Sequence, residues 1–185
     1  DLVRSRGLGD VYKRQLLEEA VKTLKGEKVE EEVQAEVSFP FPAYLPQEYV
    51  EGTGERLVLY KRLAMAGSEA ELSQIEEELR DRYGPIPQQV RALFLVLRLK
   101  LLARPLRVTR LDIGNTKVMI TFHETTPLSP EALVELVRRK SRKYRLIPSS
   151  TVSAALSGGG PEEIFYEIST ILKDLSSYGI KNVLR

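Results

Sequence analysis

After Pro105 the apolar residues of this chain change period. From 57 to 102 they recur every three to four residues, and from 108 to 122 nearly every second one. The two spacings belong to different backbones: side chains share a helix face at i, i+3 and i+4, and a strand face at i and i+2. A chain that switches from one to the other must pack helices against a sheet. "GERLVLYKRLAMAG" sets Leu57, Tyr60, Leu63 and Ala64 on one stripe and ends at Gly67. "SEAELSQIEEELRDRYG" opens with Ser68 and Glu71 in capping-box spacing. Its inner stripe is Leu72, Ile75, Leu79 and Tyr83, and Gly84 closes it. A third helix, over about 88–104, carries Val90, Leu93, Phe94, Leu97, Leu101 and Leu102 until Pro105 stops it.

The second half reads as strands and helices in alternation. Val108, Leu111 and Ile113 alternate imperfectly; Val118, Ile120 and Phe122 alternate cleanly, with a turn at Gly114 and Asn115 between the runs. "LSPEALVELVRRK" has Ser129 as N-cap and Pro130 at the first helical position. "YRLIPSSTVSAAL" gives two short strands around a turn. A last helix starts at Pro161, with Ile164, Phe165, Ile168, Ile171, Leu172 and Leu175 inward. Upstream, Val33, Ala35, Val37 and Phe39 alternate as a strand does. The prolines at 40, 42 and 46 then hold "PFPAYLPQEYV" extended across the domain, pinned by Phe41, Tyr44, Leu45 and Tyr49. The expected fold is α+β, with N-terminal helices packed on a small antiparallel sheet in the order helices, then ββαββα.

Hydrophobic residues make up 42% of the chain and charged residues 29%, enough for a real core. With no cysteine, disulfide scaffolds and thiolate metal sites are excluded, which fits a reducing cytosol. No apolar run approaches the roughly 20 residues that span a bilayer. "DLVRSRGLGDVYKRQ" has no hydrophobic period, and its back-translation resembles a sequencing-library adapter, so residues 1–15 are set aside from the fold. Residues 16–32 hold an amphipathic helix, "LLEEAVKTLKGE", and a charged linker. The domain itself is expected over 33–185.

No catalytic constellation is present, so none of these residues is assigned to catalysis or to a metal. His123 has no serine or acid at triad spacing and reads as an ordinary strand-end histidine. Asp112 and Glu124 fall at opposite ends of a hairpin, where separate surface roles fit better than acid–base work. "SGGGP" precedes a helix but lacks the following lysine of a phosphate loop. Charge, though, is unevenly spread. Acids dominate before residue 55, and bases dominate in "RLKLLARPLRVTR" and "RRKSRKYR". On the second helix Glu71, Gln74, Glu78 and Asp81 fall in a narrow sector beside the apolar stripe. Glu78 and Asp81, at i and i+3, bring two like charges together. A solvated face and a docking surface for arginines both fit that pattern.

The joined patterns "LYKRLA", "EELRDRYGPIP" and "RLKLLA" resemble the C-terminal domain of the bacterial transcription-repair coupling factor (TRCF) family. "FPAYLPQEYV" is similar to that family's lead-in, "LLEEAVKTLKGE" to the end of its translocase region, and "KVMITFHETTPLSPEALVELV" and "KYRLIPSS" continue the likeness. The resemblance implies a cytoplasmic bacterial parent with a RecG-like, double-stranded-DNA translocase that uses ATP and magnesium. Such a parent displaces stalled RNA polymerase and recruits UvrA for nucleotide-excision repair. None of the motor's motifs lies here, so the chain itself needs no cofactor. In the family this domain is regulatory: it packs on the UvrB-like N-terminal module, hides the UvrA-binding surface and restrains the motor. The family's contact residues carry over to Glu78 and Asp81, flanked by Glu71 and Gln74, facing arginines of that module. The alternative is a nucleic-acid-binding module using Arg98, Lys100, Arg104, Arg107 and Arg110, or the run at 138–145.

Overall fold

The computed structural model describes residues 33–148 and 150–183. The readings of residues 1–15 and of a helix at 16–27 fall outside them. Strand β1 (Glu36–Ser38) comes first, followed by helices α1 (Thr53–Met65), α2 (Glu69–Tyr83) and α3 (Gln88–Ala103) and a 3-10 turn at Arg104–Leu106. The hairpin of β2 (Val108–Ile113) and β3 (Lys117–Phe122) leads to α4 (Pro130–Arg139), then to β4 (Tyr144–Ile147), β5 (Thr151–Ala155) and α5 (Pro161–Val183). The fold is α+β, and ββαββα follows the helices as expected.

The five strands form one sheet in the order β1-β2-β3-β5-β4. From β2 to β4 every pairing is antiparallel. The edge differs: β1 runs parallel to β2, with Val37 opposite Leu111, so the sheet is mixed rather than antiparallel. The cause is connectivity. Two parallel neighbours need a long crossover, and α1 to α3 supply it. The imperfect alternation in β2 also has a structural origin. Val108 pairs with Phe122 and Arg110 with Thr121, leaving Thr109 as an extra residue in a bulge. Its hydroxyl donates to the Thr121 carbonyl at 3.2 Å.

Two hydrophobic clusters hold the elements. The larger joins the inner face of the sheet (Leu111, Val118, Ile120, Tyr144, Val152) to α4 and α5 through Leu136, Ile164, Ile168, Ile171 and Leu172. The smaller joins Leu59 and Leu63 of α1 to Leu72, Ile75 and Leu79 of α2, with Leu45 and Val50 from the lead-in. Helix α3 belongs to both: Val90 and Phe94 enter the smaller cluster, Leu99 and Ala103 the larger. The periodic reading of α3 includes Leu102 of the second face but not Leu99 or Ala103.

The stripe expected on α1 is corrected. Leu59 and Leu63 are buried, whereas Leu57 stands 55% exposed and Ala64 is exposed as well. Tyr60 is half-exposed but its hydroxyl accepts the Leu45 N–H at 2.8 Å, so it anchors the lead-in by its polar tip. In the lead-in itself Leu45 and Val50 are buried, and the Tyr49 hydroxyl lies 3.0 Å from the carbonyls of both Leu79 and Gly84. Tyr44, expected as a pin, is exposed. Gly84 at φ +87° ends α2 in a conformation that side chains with a Cβ rarely take.

Leu79 is fully buried at the middle of the α2 stripe. Leu79→Ala is expected to cost about 2–5 kcal/mol in urea unfolding, from lost burial and the cavity left behind. A cost below about half a kcal/mol would contradict this packing.

Candidate functional site

Helix α2 is positioned from both sides. On one side Arg98 of α3 reaches across to Glu69 (2.7 Å) and Glu76 (2.9 Å), with its guanidinium over the Phe94 ring. On the other, Arg62 of α1 grips Glu78 with both terminal nitrogens, at 2.9 and 2.7 Å. Arg82 adds a third bond to Glu78 at 3.4 Å and a fourth contact, 2.7 Å, to Glu55 of α1. The helix therefore rests on an apolar floor with an ion pair along each wall.

The four residues expected on the acidic face divide. Glu71 is spent on the helix start: its carboxylate accepts the Gly67 N–H at 2.6 Å, and its own N–H donates to Ser68 Oγ at 3.2 Å. This is a capping arrangement, so the spacing of Ser68 and Glu71 was correctly legible as local structure. Glu78 is held by Arg62, whose hydrogen bonds keep its carboxyl below the usual glutamate range despite partial burial. A carboxylate has about four lone-pair sites, and three are filled here. Gln74 and Asp81 are exposed, and neither forms a hydrogen bond or ion pair with another described residue. Arg62 was not anticipated, because nothing in the sequence spacing brings α1 and α2 side by side in this register. Arg82, four residues after Glu78, was within reach of a local reading.

Beside the acids lies an apolar strip. Leu57, Val58 and Met65 are each about half exposed on the outer side of α1, and Val58 and Met65 flank Arg62 on the helix surface.

The basic residues named as an alternative are largely used within the fold. Arg98 is committed as described. Arg110 meets both oxygens of Asp112 at 2.9 Å and approaches Glu36 at 3.8 Å. Arg104 and Arg107 have interactions of their own. Lys100 lines an apolar cleft of about 170 Å³ between α1, α3 and the segment before β1, together with Tyr60, Leu97 and Arg104. Arg98 and Arg110 are thus tied to acids within the fold.

The remaining candidates are structural. His123 Nδ1 accepts the Thr125 N–H at 3.3 Å and lies 2.8 Å from its hydroxyl, closing the turn after β3. Before α5, Gly158 and Gly159 adopt positive φ, and a Cβ on Gly160 would fall 2.8 Å from Glu163 Oε2. The Glu163 carboxylate thus lies close against the glycine turn that starts the helix. Among the described residues no cluster of histidine, cysteine or acids could hold a metal ion, and no helix is long and apolar enough to cross a membrane.

The TRCF domain family model matches residues 39–133. The transcription-repair-coupling factor of Myxococcus xanthus is 34% identical over 168 residues, covering 90% of this chain and 14% of that protein. The Escherichia coli protein of the same name is 35% identical over 137 residues, covering 71% and 12%. The chain thus spans a small part of these relatives. The crystal structure of a C-terminal domain of transcription-repair coupling factor superposes with a TM-score of 0.66 at 18% identity, covering 80% of this chain and 95% of that one. That likeness concerns the fold.

The Arg62–Glu78 pair makes stability depend on pH in one direction. The folded-state pKa of Glu78 lies below its ordinary 4.5, so its contribution is complete above that value and is lost as pH falls through the folded one. Glu78→Gln is expected to lower stability by about 0.2–1 kcal/mol at neutral pH, the range of partly exposed pairs. The two curves should converge on acidification, as read by urea unfolding from about pH 7 to pH 3. Parallel curves would show that the pair adds nothing to the fold.

Proposed function

The chain belongs to the TRCF domain family, and from that premise we propose that it is the regulatory C-terminal domain of an ATP-dependent DNA translocase coupling transcription to nucleotide-excision repair. In this reading it packs on the UvrB-like N-terminal module of the same cytoplasmic protein. There it masks the UvrA-binding surface and restrains the motor, whose ATP and magnesium are held outside this chain. RNA polymerase and double-stranded DNA are contacted by other parts of the parent. Engagement with polymerase opens the contact, a two-state change biased by whatever holds the closed form.

The observation that carries the proposal is the α2 face: Asp81 exposed and unpartnered, one turn from Glu78 and beside the apolar strip of α1. An exposed apolar strip rimmed by charge is the composition of an interaction surface. Exposed carboxylates suit bidentate arginines on the other side. The Arg62 grip adds a condition. A partner guanidinium must either take the lone pair still open on Glu78 or displace Arg62, so closure at Glu78 is an exchange of arginines while closure at Asp81 is a new bond. Asp81 therefore contributes the larger net gain.

In the full-length coupling factor, Glu78→Ala with Asp81→Ala is expected to weaken closure by about 2–5 kcal/mol where the pairs are desolvated. UvrA affinity and DNA-dependent ATP turnover should both rise without polymerase, with circular dichroism confirming a folded domain. Unchanged UvrA affinity would refute the latch. Reduced affinity would refute it too, and would place UvrA itself on this face.

A further inference from the structure

Among the described residues, the arginines whose guanidinium makes no hydrogen bond or ion pair are Arg91, Arg138, Arg142 and Arg145. Three of the four lie within eight residues, where α4 ends and β4 begins. The local acids are already taken: Glu135 pairs with Arg139, and Asp174 with Lys140 at 2.8 Å. Lys143 forms no ion pair, though its charge helps hold the Asp174 carboxyl below its usual range, and its ammonium lies 5.7 Å from the Tyr144 ring centre. Arg138, Arg142 and Arg145 are thus left without an ion pair among the described residues, with Lys143 between them only partly compensated. Like charges at this spacing repel, so the corner lowers its energy when an anionic partner arrives.

The backbone beneath is well fixed. Lys143 and Tyr144 both donate to the Lys140 carbonyl, at 2.9 and 3.0 Å, and the fully buried Tyr144 reaches Asp174 with its hydroxyl. Arg145 emerges opposite Ser153, on the sheet face turned away from the helices. Lys143 also lines a shallow groove of about 370 Å³ with Ser157, Tyr166, Glu167 and Thr170, the Glu167 carboxylate accepting the Ser157 N–H at 2.8 Å. Tyr166 in that groove is 73% exposed. An exposed ring in a groove with one lysine, and unpaired arginines on the adjoining chain segment, are the groups that single strands use, phosphates on the cations and a base on the ring.

We propose that this corner, Arg138, Arg142, Lys143 and Arg145 beside Tyr166, is a binding site for single-stranded nucleic acid. It is separate from the α2 face and does not depend on the latch.

The test titrates a fluorescent oligothymidylate of about 12 nucleotides, and a duplex of equal length, into the whole chain. If the four cations each meet one phosphate, affinity should fall about 50-fold between about 50 and 200 mM salt. Replacing Arg138, Arg142 and Arg145 together by glutamine should weaken binding at least tenfold and flatten that salt dependence. Tyr166→Ala should weaken the single strand about five- to hundredfold and leave the duplex unchanged. Arg91→Gln, on a different surface, should change nothing. The proposal is overturned by no measurable binding at low salt or by a triple variant that binds like the parent. It is equally overturned if Arg91→Gln costs as much as the corner variant, or if polyglutamate is held as tightly as the oligonucleotide. Circular dichroism on each variant excludes loss of fold.

Discussion

Everything in this domain hangs on α3 having no solvent-dominated side along much of its length. Its early residues Val90 and Phe94 close the helical cluster, and its late residues Leu99 and Ala103 close the sheet cluster, all four of them 0% exposed. A helix buried on two faces cannot be removed from either core without opening the other. The crossover that makes β1 parallel to β2 passes through the same helix, so topology and packing impose the same constraint.

That arrangement decides what α2 can do. Its apolar side is seated on α3 through Leu72, Ile75 and Leu79, and Arg98 ties its first two turns to α3 from the flank. Arg62 and Arg82 tie its later turns to α1. What remains outward is a rigid, narrow strip holding Gln74 and Asp81. Side chains displayed on a fixed helix lose little freedom on contact, which favours a specific interface over a diffuse charged one. Many charges that read as a binding patch are therefore internal fastenings, and those left without internal partners are the ones to examine for function.

Local chemistry was legible in the sequence. The change of period at Pro105 separates the helices from the hairpins, and the caps at Ser68, Ser129 and Gly84 stand where turn chemistry places them. Glu78 and Asp81 were legible as a carboxylate pair on the α2 surface. Features set by tertiary approach were not. The second face of α3 falls outside any single amphipathic stripe. Leu59 and Leu57 are equally apolar, and only the position of α2 decides which is buried. The bulge at Thr109 breaks the alternation that would have marked β2. Arg62, which grips Glu78, and the acids that hold Arg98 lie on other helices from their partners, at separations of 16 and 22 or more residues, beyond any periodic reading.

The claim that α3 makes one cooperative body of both clusters is tested most directly by amide hydrogen exchange on Leu99→Ala. Leu99 belongs to the sheet cluster and not to the cluster that seats α2. If α3 joins the two, the most protected amides of α2 and of β3 should lose protection together, by about 2–5 kcal/mol each, since both exchange through the same global opening. Faster exchange in β3 with α2 unchanged would show two independently stable parts, and would contradict the account.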